Sequence, residues 1–156
     1  MIQTGQPAPD FTLYNTEKQP ITLSHHRGKN VLLLFFPLAF TGTCTIELCS
    51  MRDHMQIYND LKAEVFAISV DSLHVLRKWK EMEGFNFEML SDFNKEVSTL
   101  YDTIYPVFGQ GMKGVSKRSA FVIDKEGVVQ YAEVLENSSE IPKFENIQEL
   151  LSNLNG

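Results

Sequence analysis

The sequence predicts an α/β domain, with a central mixed sheet, helices on both faces and an N-terminal β-hairpin. Two observations carry this. Val31–Phe36 is apolar throughout and Val65–Val70 is broken only by Ser69, the pattern of strands buried on both faces. Around them, stretches with apolar residues at helical spacing alternate with short strand-like runs, and a closing strand pair leads into a last helix.

Each element follows from local chemistry. Phe11-Thr12-Leu13 and Ile21-Thr22-Leu23 read as a hairpin around Asn15 to Pro20. His25-His26-Arg27-Gly28 is a polar turn, and no further ligand is spaced to join its histidines in a metal site. Pro37 stops the first buried strand, because it has no N–H for a ladder. Leu38 to Gly42 is a loop, and Thr43 is a good N-cap for a helix from about Cys44 to Leu61. After the second buried strand, Asp71-Ser72 caps a helix with Val75, Leu76, Trp79 and Met82 on one face. Trp79 reads as core.

Phe87 to Leu90 reads as a short strand and Asp92 to Tyr101 as a short helix. Ser119–Asp124 and Val128–Glu133 form a hairpin across Lys125-Glu126-Gly127. The last helix runs from about Pro142 to Leu154, with Phe144, Ile147, Leu150, Leu151 and Leu154 on its apolar stripe. Gly109-Gln-Gly-Met-Lys-Gly114 fits Gly-x-Gly-x-x-Gly, but a strand rather than a helix follows it, so it reads as a flexible loop. Asn137-Ser138-Ser139 fits a glycosylation acceptor and reads as a turn in the cap region of the last helix.

Composition bounds the function. A chain of 156 residues is expected to form a single domain, 1–156, with a full core. A net charge of −6 with no basic stripe argues against nucleic acid as a partner. No apolar run approaches the length that crosses a bilayer. Met1-Ile-Gln-Thr-Gly5 lacks the basic and apolar regions of a secretory signal, so a cytoplasmic protein is expected. In that setting two cysteines in one helix point to catalysis or metal binding rather than to a structural disulfide.

Cys44 and Cys49 are the only cysteines, and both fall in the first two turns of the helix after the buried strand. A thiol is a nucleophile only as thiolate, and the first turn of a helix favours thiolate through its unpartnered N–H groups and dipole. At about 100° per residue, Cys44 shares a face with Leu48, Met51, Met55 and Tyr58, the stripe that packs on the sheet. Cys49 lies roughly 140° away, among Arg52, Asp53, Gln56 and Asp60. Position alone leaves open that both are small hydrophobes.

Pro37-x-x-x-Thr41-x-x-Cys44, with Glu47 three residues on, resembles the active-site motif of the peroxiredoxins. The start Gly5-Gln-Pro-Ala-Pro-Asp-Phe11 resembles that family's, and Lys117-Arg118-Ser-Ala-Phe-Val-Ile-Asp124 is similar to the strand carrying its arginine. The loop Phe-Phe-Pro37-Leu-Ala-Phe-Thr41-Gly resembles the E-type alkyl hydroperoxide reductases, and Cys-x4-Cys the Q-type, or bacterioferritin comigratory protein, group. The resemblance implies a thioredoxin-like fold and reduction of hydrogen peroxide and organic hydroperoxides through a Cys44 thiolate and sulfenic acid. It makes Cys44 the peroxidatic cysteine and Cys49 the candidate resolving cysteine. Thr41 would offer a hydroxyl, Pro37 would shield the sulfur, Arg118 would supply a cation and Glu47 would orient it. It implies no cofactor or metal, a thioredoxin-like or other thiol reductant, and a monomer or homodimer.

Two departures stand beside the match. No cysteine follows Cys49, and the arginines are only Arg27, Arg52, Arg77 and Arg118, so the second active-site arginine of some members is missing or replaced. Other readings stay open: a one-cysteine peroxidase with an external thiol, a thioredoxin-type disulfide oxidoreductase, and a metal-binding or structural module using Cys44, Cys49 and His54. Cys-x4-Cys lacks the spacing the oxidoreductase needs, and the three ligands match no common zinc pattern.

Overall fold

The structure, a computed structural model, describes residues 1–155. The strand that precedes the cysteine helix, β3 (Asn30–Phe35), lies inside a seven-stranded sheet. It pairs in parallel with β4 (Ala63–Ser69) and antiparallel with β8 (Ser119–Ile123), so both its edges are used. Phe36 N–H donates once more, to Ile68 O at 3.0 Å, and at Pro37 the ladder ends for want of a donor.

Beyond β4 lie β5 (Glu88–Ser91), β1 (Thr12–Asn15) and β2 (Pro20–Thr22), and beyond β8 lies β9 (Val129–Val134). The β3–β4–β5 block is parallel and the rest antiparallel, as the predicted mixed sheet requires. Successive β3 side chains enter two cores. Leu32 and Leu34 join a core with α1 (Gly42–Asp53), α2 (Met55–Asp60), α3 (Leu73–Glu83) and α5 (Phe144–Asn155). Val31, Leu33 and Phe35 join another with Phe11, Leu13 and Val97 of α4 (Glu96–Leu100).

The structure departs from the sequence reading at several boundaries. The helix expected over Cys44–Leu61 is two helices, broken at His54, where φ is −111° and ψ is 12°. There the His54 N–H bonds both Ser50 O and Met51 O, and its Nδ1 lies 2.7 Å from Ser50 O. The helix begins at Gly42 after an extended Thr41, two residues earlier than a Thr43 cap would place it. The short helix expected from Asp92 starts at Glu96, because the buried Asp92 carboxylate turns back to accept Val97 N–H and Ser98 N–H at 3.1 and 2.7 Å. A small hairpin, β6 (Ile104–Tyr105) with β7 (Val115–Ser116), has no counterpart in the sequence reading. The Gly109–Gly114 stretch is the loop between these two strands, so strand, turn and helix do not follow one another there. In the Lys125–Gly127 turn, Gly127 has φ +86°, and the Arg27 guanidinium occupies the space a Cβ would take.

Candidate active site

The site grows from the end of β3. Thr41 is the N-cap of α1 in position, but its hydroxyl donates to Leu38 O at 2.7 Å and caps no helical N–H. Its carbonyl accepts from Thr45 N–H at 2.9 Å and Thr45 Oγ1 at 2.7 Å. The N–H groups of the first turn, where Cys44 sits, have no acceptor inside the helix and form the positive end of its dipole. Cys44 is 1% exposed and packs in the core with Leu48, Phe36 and Ala120.

Arg118, the residue before β8, reaches this sulfur from across the sheet and is 2% exposed. Its guanidinium has a use for each face of its fork: Nη2 donates to Cys44 Sγ at 3.3 Å, Nη1 to Glu47 Oε1 at 2.7 Å and Nε to Ser138 O at 3.0 Å. Its backbone N–H lies 3.4 Å from the Tyr105 hydroxyl, which itself donates to Leu135 O. Burial works against the guanidinium's charge, but Glu47 and Cys44 outweigh it and hold Arg118 above its ordinary value.

Glu47 is fully buried, and its Oε2 has no hydrogen-bond partner among the described residues. Burial pushes its carboxyl up to about 7, against the opposing pull of Arg118. The structure therefore gathers Cys44, Arg118 and Glu47 into one buried cluster, with Pro37 buried at the end of β3. Thr41 is in the same loop, but its proton is committed to Leu38 O, which leaves its oxygen as an acceptor. Cys49 points elsewhere: it is half-buried and donates to Glu83 Oε2 at 3.4 Å. Among the described residues no three His, Cys, Asp or Glu side chains stand together as metal ligands.

Two further residues shape the loop. The sequence places Asp71 in a helix cap, a role that Ser72 takes alone by accepting Val75 N–H at 3.2 Å. Asp71 instead accepts Ala39 N–H at 2.8 Å and Ser69 Oγ at 2.7 Å, tying the active-site loop to the end of β4. Phe40 holds a left-handed φ of +65° and rests against Trp79 with ring centroids 5.9 Å apart. Trp79 itself is core, packed on Phe36 and Phe85.

This arrangement can hold a thiolate between backbone N–H groups and a fixed guanidinium, and can neutralise charge that develops on an oxygen beside it. The AhpC/TSA family profile matches residues 4–132. The chain belongs to the AhpC/TSA family, the peroxiredoxins. This peroxiredoxin is 41% identical over 135 residues to alkyl hydroperoxide reductase E of Mycobacterium tuberculosis, covering 86% of each chain. It is 33% identical over 144 residues to a chloroplastic 2-cysteine peroxiredoxin of Chattonella marina, covering 85% of this chain and 71% of that one. The crystal structure of the peroxidoxin BcpB from Mycobacterium tuberculosis superposes with a TM-score of 0.83 at 28% identity, covering 99% of this chain and 97% of that one. The thioredoxin-like peroxiredoxin fold expected from the sequence is the fold observed. No helix among the described residues is long and apolar enough to cross a membrane.

Proposed function

We propose the following cycle for the thiol-dependent peroxidase that membership of this family makes the chain, carried by one domain, 1–156. The Cys44 thiolate attacks the terminal oxygen of hydrogen peroxide or an organic hydroperoxide. The S–O bond forms as the O–O bond breaks, and the leaving alkoxide or hydroxide takes a proton. Cys44 becomes sulfenic acid. Arg118 stabilises both the thiolate and the charge moving onto oxygen, Glu47 holds the guanidinium in place, and the Thr41 oxygen accepts the peroxide's O–H. Pro37 closes the loop over the sulfur. The observation that carries this reading is Arg118 Nη2 at 3.3 Å from a buried Cys44 Sγ, with the same guanidinium pinned by Glu47 at 2.7 Å.

Cys49 then resolves the sulfenic acid. Five residues apart in an intact helix, the two Cα atoms are about 8.7 Å from each other, beyond the roughly 4.4–6.8 Å a disulfide spans. The first turns of α1 unwind to let the sulfurs meet, and helix ends are the part of a structure that opens most readily. A thioredoxin-like thiol protein reduces the disulfide in the cytoplasm, and the enzyme works as a monomer or homodimer.

One equivalent of hydrogen peroxide on the reduced protein, followed by mass spectrometry, tests the cycle. The expected product is a monomeric chain lighter by about two mass units with both cysteines joined, while Cys44→Ser consumes no peroxide. Peroxidase activity in Cys44→Ser overturns the nucleophile assignment. Stable sulfenic or sulfinic acid in the wild type, with Cys49 free, overturns the resolving role and leaves a one-cysteine peroxidase served by an external thiol.

A further inference from the structure

Cys49 is held by a partner that the peroxide-reducing step does not use. Its Sγ donates to Glu83 Oε2 at 3.4 Å, and Glu83 is the last residue of α3. The two helices are fastened again around this contact. Arg52 Nη1 donates to Glu83 O at 2.5 Å and lies 4.0 Å from Glu83 Oε2, and Asn86 Nδ2 donates to Arg52 O at 3.3 Å. The charged groups that face Cys49 are thus Glu83 from α3, and Arg52 and Asp53 from its own helix.

We propose that Glu83 is a positioning residue that keeps Cys49 a docked thiol and so delays disulfide formation, an inference that rests on the resolving role proposed for Cys49. Resolution needs the Cys49 thiolate: its electron pair forms the S–S bond to Cys44, the S–O bond of the sulfenic acid breaks, and the departing hydroxide takes a proton to become water. The Cys49 proton must leave first. A carboxylate that accepts the S–H bond favours the thiol and repels the thiolate. Burial and then this hydrogen bond raise the Cys49 thiol above its ordinary range, and Arg52 opposes them without prevailing. The consequence is a lifetime for the Cys44 sulfenic acid, during which a second thiol or a second peroxide can reach it.

Glu83→Gln removes the charge and keeps the shape, and the Arg52 bond to the backbone carbonyl survives it. In a Cys44→Ser background, alkylation of Cys49 by iodoacetamide against pH reads the thiol directly. The profile should move to lower pH in the Glu83→Gln variant, with about three- to tenfold faster alkylation at neutral pH, the size of one screened charge at this distance. With Cys44 present, the disulfide should form about two- to fivefold faster, because part of the gain in thiolate is offset by its weaker nucleophilicity. The rate of sulfenic acid formation should not change, and Glu83→Asp should restore the wild-type profile. An alkylation profile that stays put or moves upward overturns the inference, as does disulfide formation that is no faster. A shifted profile in a protein whose wild type forms no Cys44–Cys49 disulfide overturns the delay and the resolving role together, and confines Glu83 to its hold on the thiol.

Discussion

A buried guanidinium is tolerated when each of its nitrogens has a partner, and Arg118 shows what that requires. Glu47 takes Nη1, Ser138 O takes Nε, and Nη2 is left for the Cys44 sulfur. Lysine carries the same charge without the planar fork, so it cannot serve Glu47 and Cys44 together. Arg118→Lys should therefore slow oxidation of the protein by hydrogen peroxide by about 10²–10³, the usual loss for one oxyanion donor. An unchanged rate removes Arg118 from the site. Glu47 makes a prediction in pH. Its carboxyl rises from 4.5 to about 7 on folding, so the folded state holds a proton the unfolded state has lost between those values. The stability this contributes is complete below about pH 4.5 and disappears as pH rises through 7. Whatever Glu47→Gln costs by leaving Arg118 short of a charge, it also removes that dependence. Urea unfolding of the reduced proteins should thus favour the wild type over the variant more at pH 5 than at pH 8, and a difference independent of pH rejects the shifted carboxyl.

Among the elements, the segment from β3 into α1 is the one whose ends are set by chemistry visible in the sequence. Pro37 ends the strand, and the apolar stripe Cys44, Leu48 and Met51 fixes which face of the helix meets the sheet. The loop between them is held from outside, by Asp71. Asp71→Ala leaves the Ala39 N–H without its acceptor, at a cost of about 1–3 kcal/mol. It frees the loop that aims Cys44, so peroxide oxidation should slow by about ten- to a hundredfold while the sheet and its circular dichroism persist. A full rate in Asp71→Ala shows that Pro37 and the helix alone position the sulfur. The sequence disclosed elements whose signal is local, such as a period, a proline or a cap. It hid those without such a signal. His54 breaks the long helix although its neighbours keep helical spacing, Asp92 caps a helix five residues ahead of itself, and β6 and β7 are too short to show a period. Asp71, and Glu83 beside Cys49, were hidden for a different reason, because each acts on a residue more than thirty positions away.

At the scale of the whole molecule, the first turns of α1 are a piece of the main core. Cys44 and Leu48 are buried with Leu32, Leu34 and Phe36 of the β3 region, and Ile147 and Leu151 of α5 close the same cluster. Chemistry at Cys44 is therefore coupled to stability, and the two effects of a Cys44–Cys49 disulfide oppose one another. The crosslink closes a loop of about six residues and gains about 2 kcal/mol by restricting the unfolded chain. Unwinding the turn withdraws Leu48 from the core, a loss comparable with Leu→Ala at about 2–5 kcal/mol. It also gives up several helical hydrogen bonds worth about 1 kcal/mol each. The losses exceed the gain by a few kcal/mol, and for a chain of this length each kcal/mol moves the midpoint by about 2–4 °C. The disulfide form should melt about 5–15 °C below the reduced protein, with weaker helical signal and more binding of a hydrophobic dye, and dithiothreitol should reverse all three. Cys49→Ser, which cannot form the bond, should show no such drop on one equivalent of peroxide. An oxidised protein that melts at or above the reduced one means that the turn stays folded, and with it that Cys44 and Cys49 never meet.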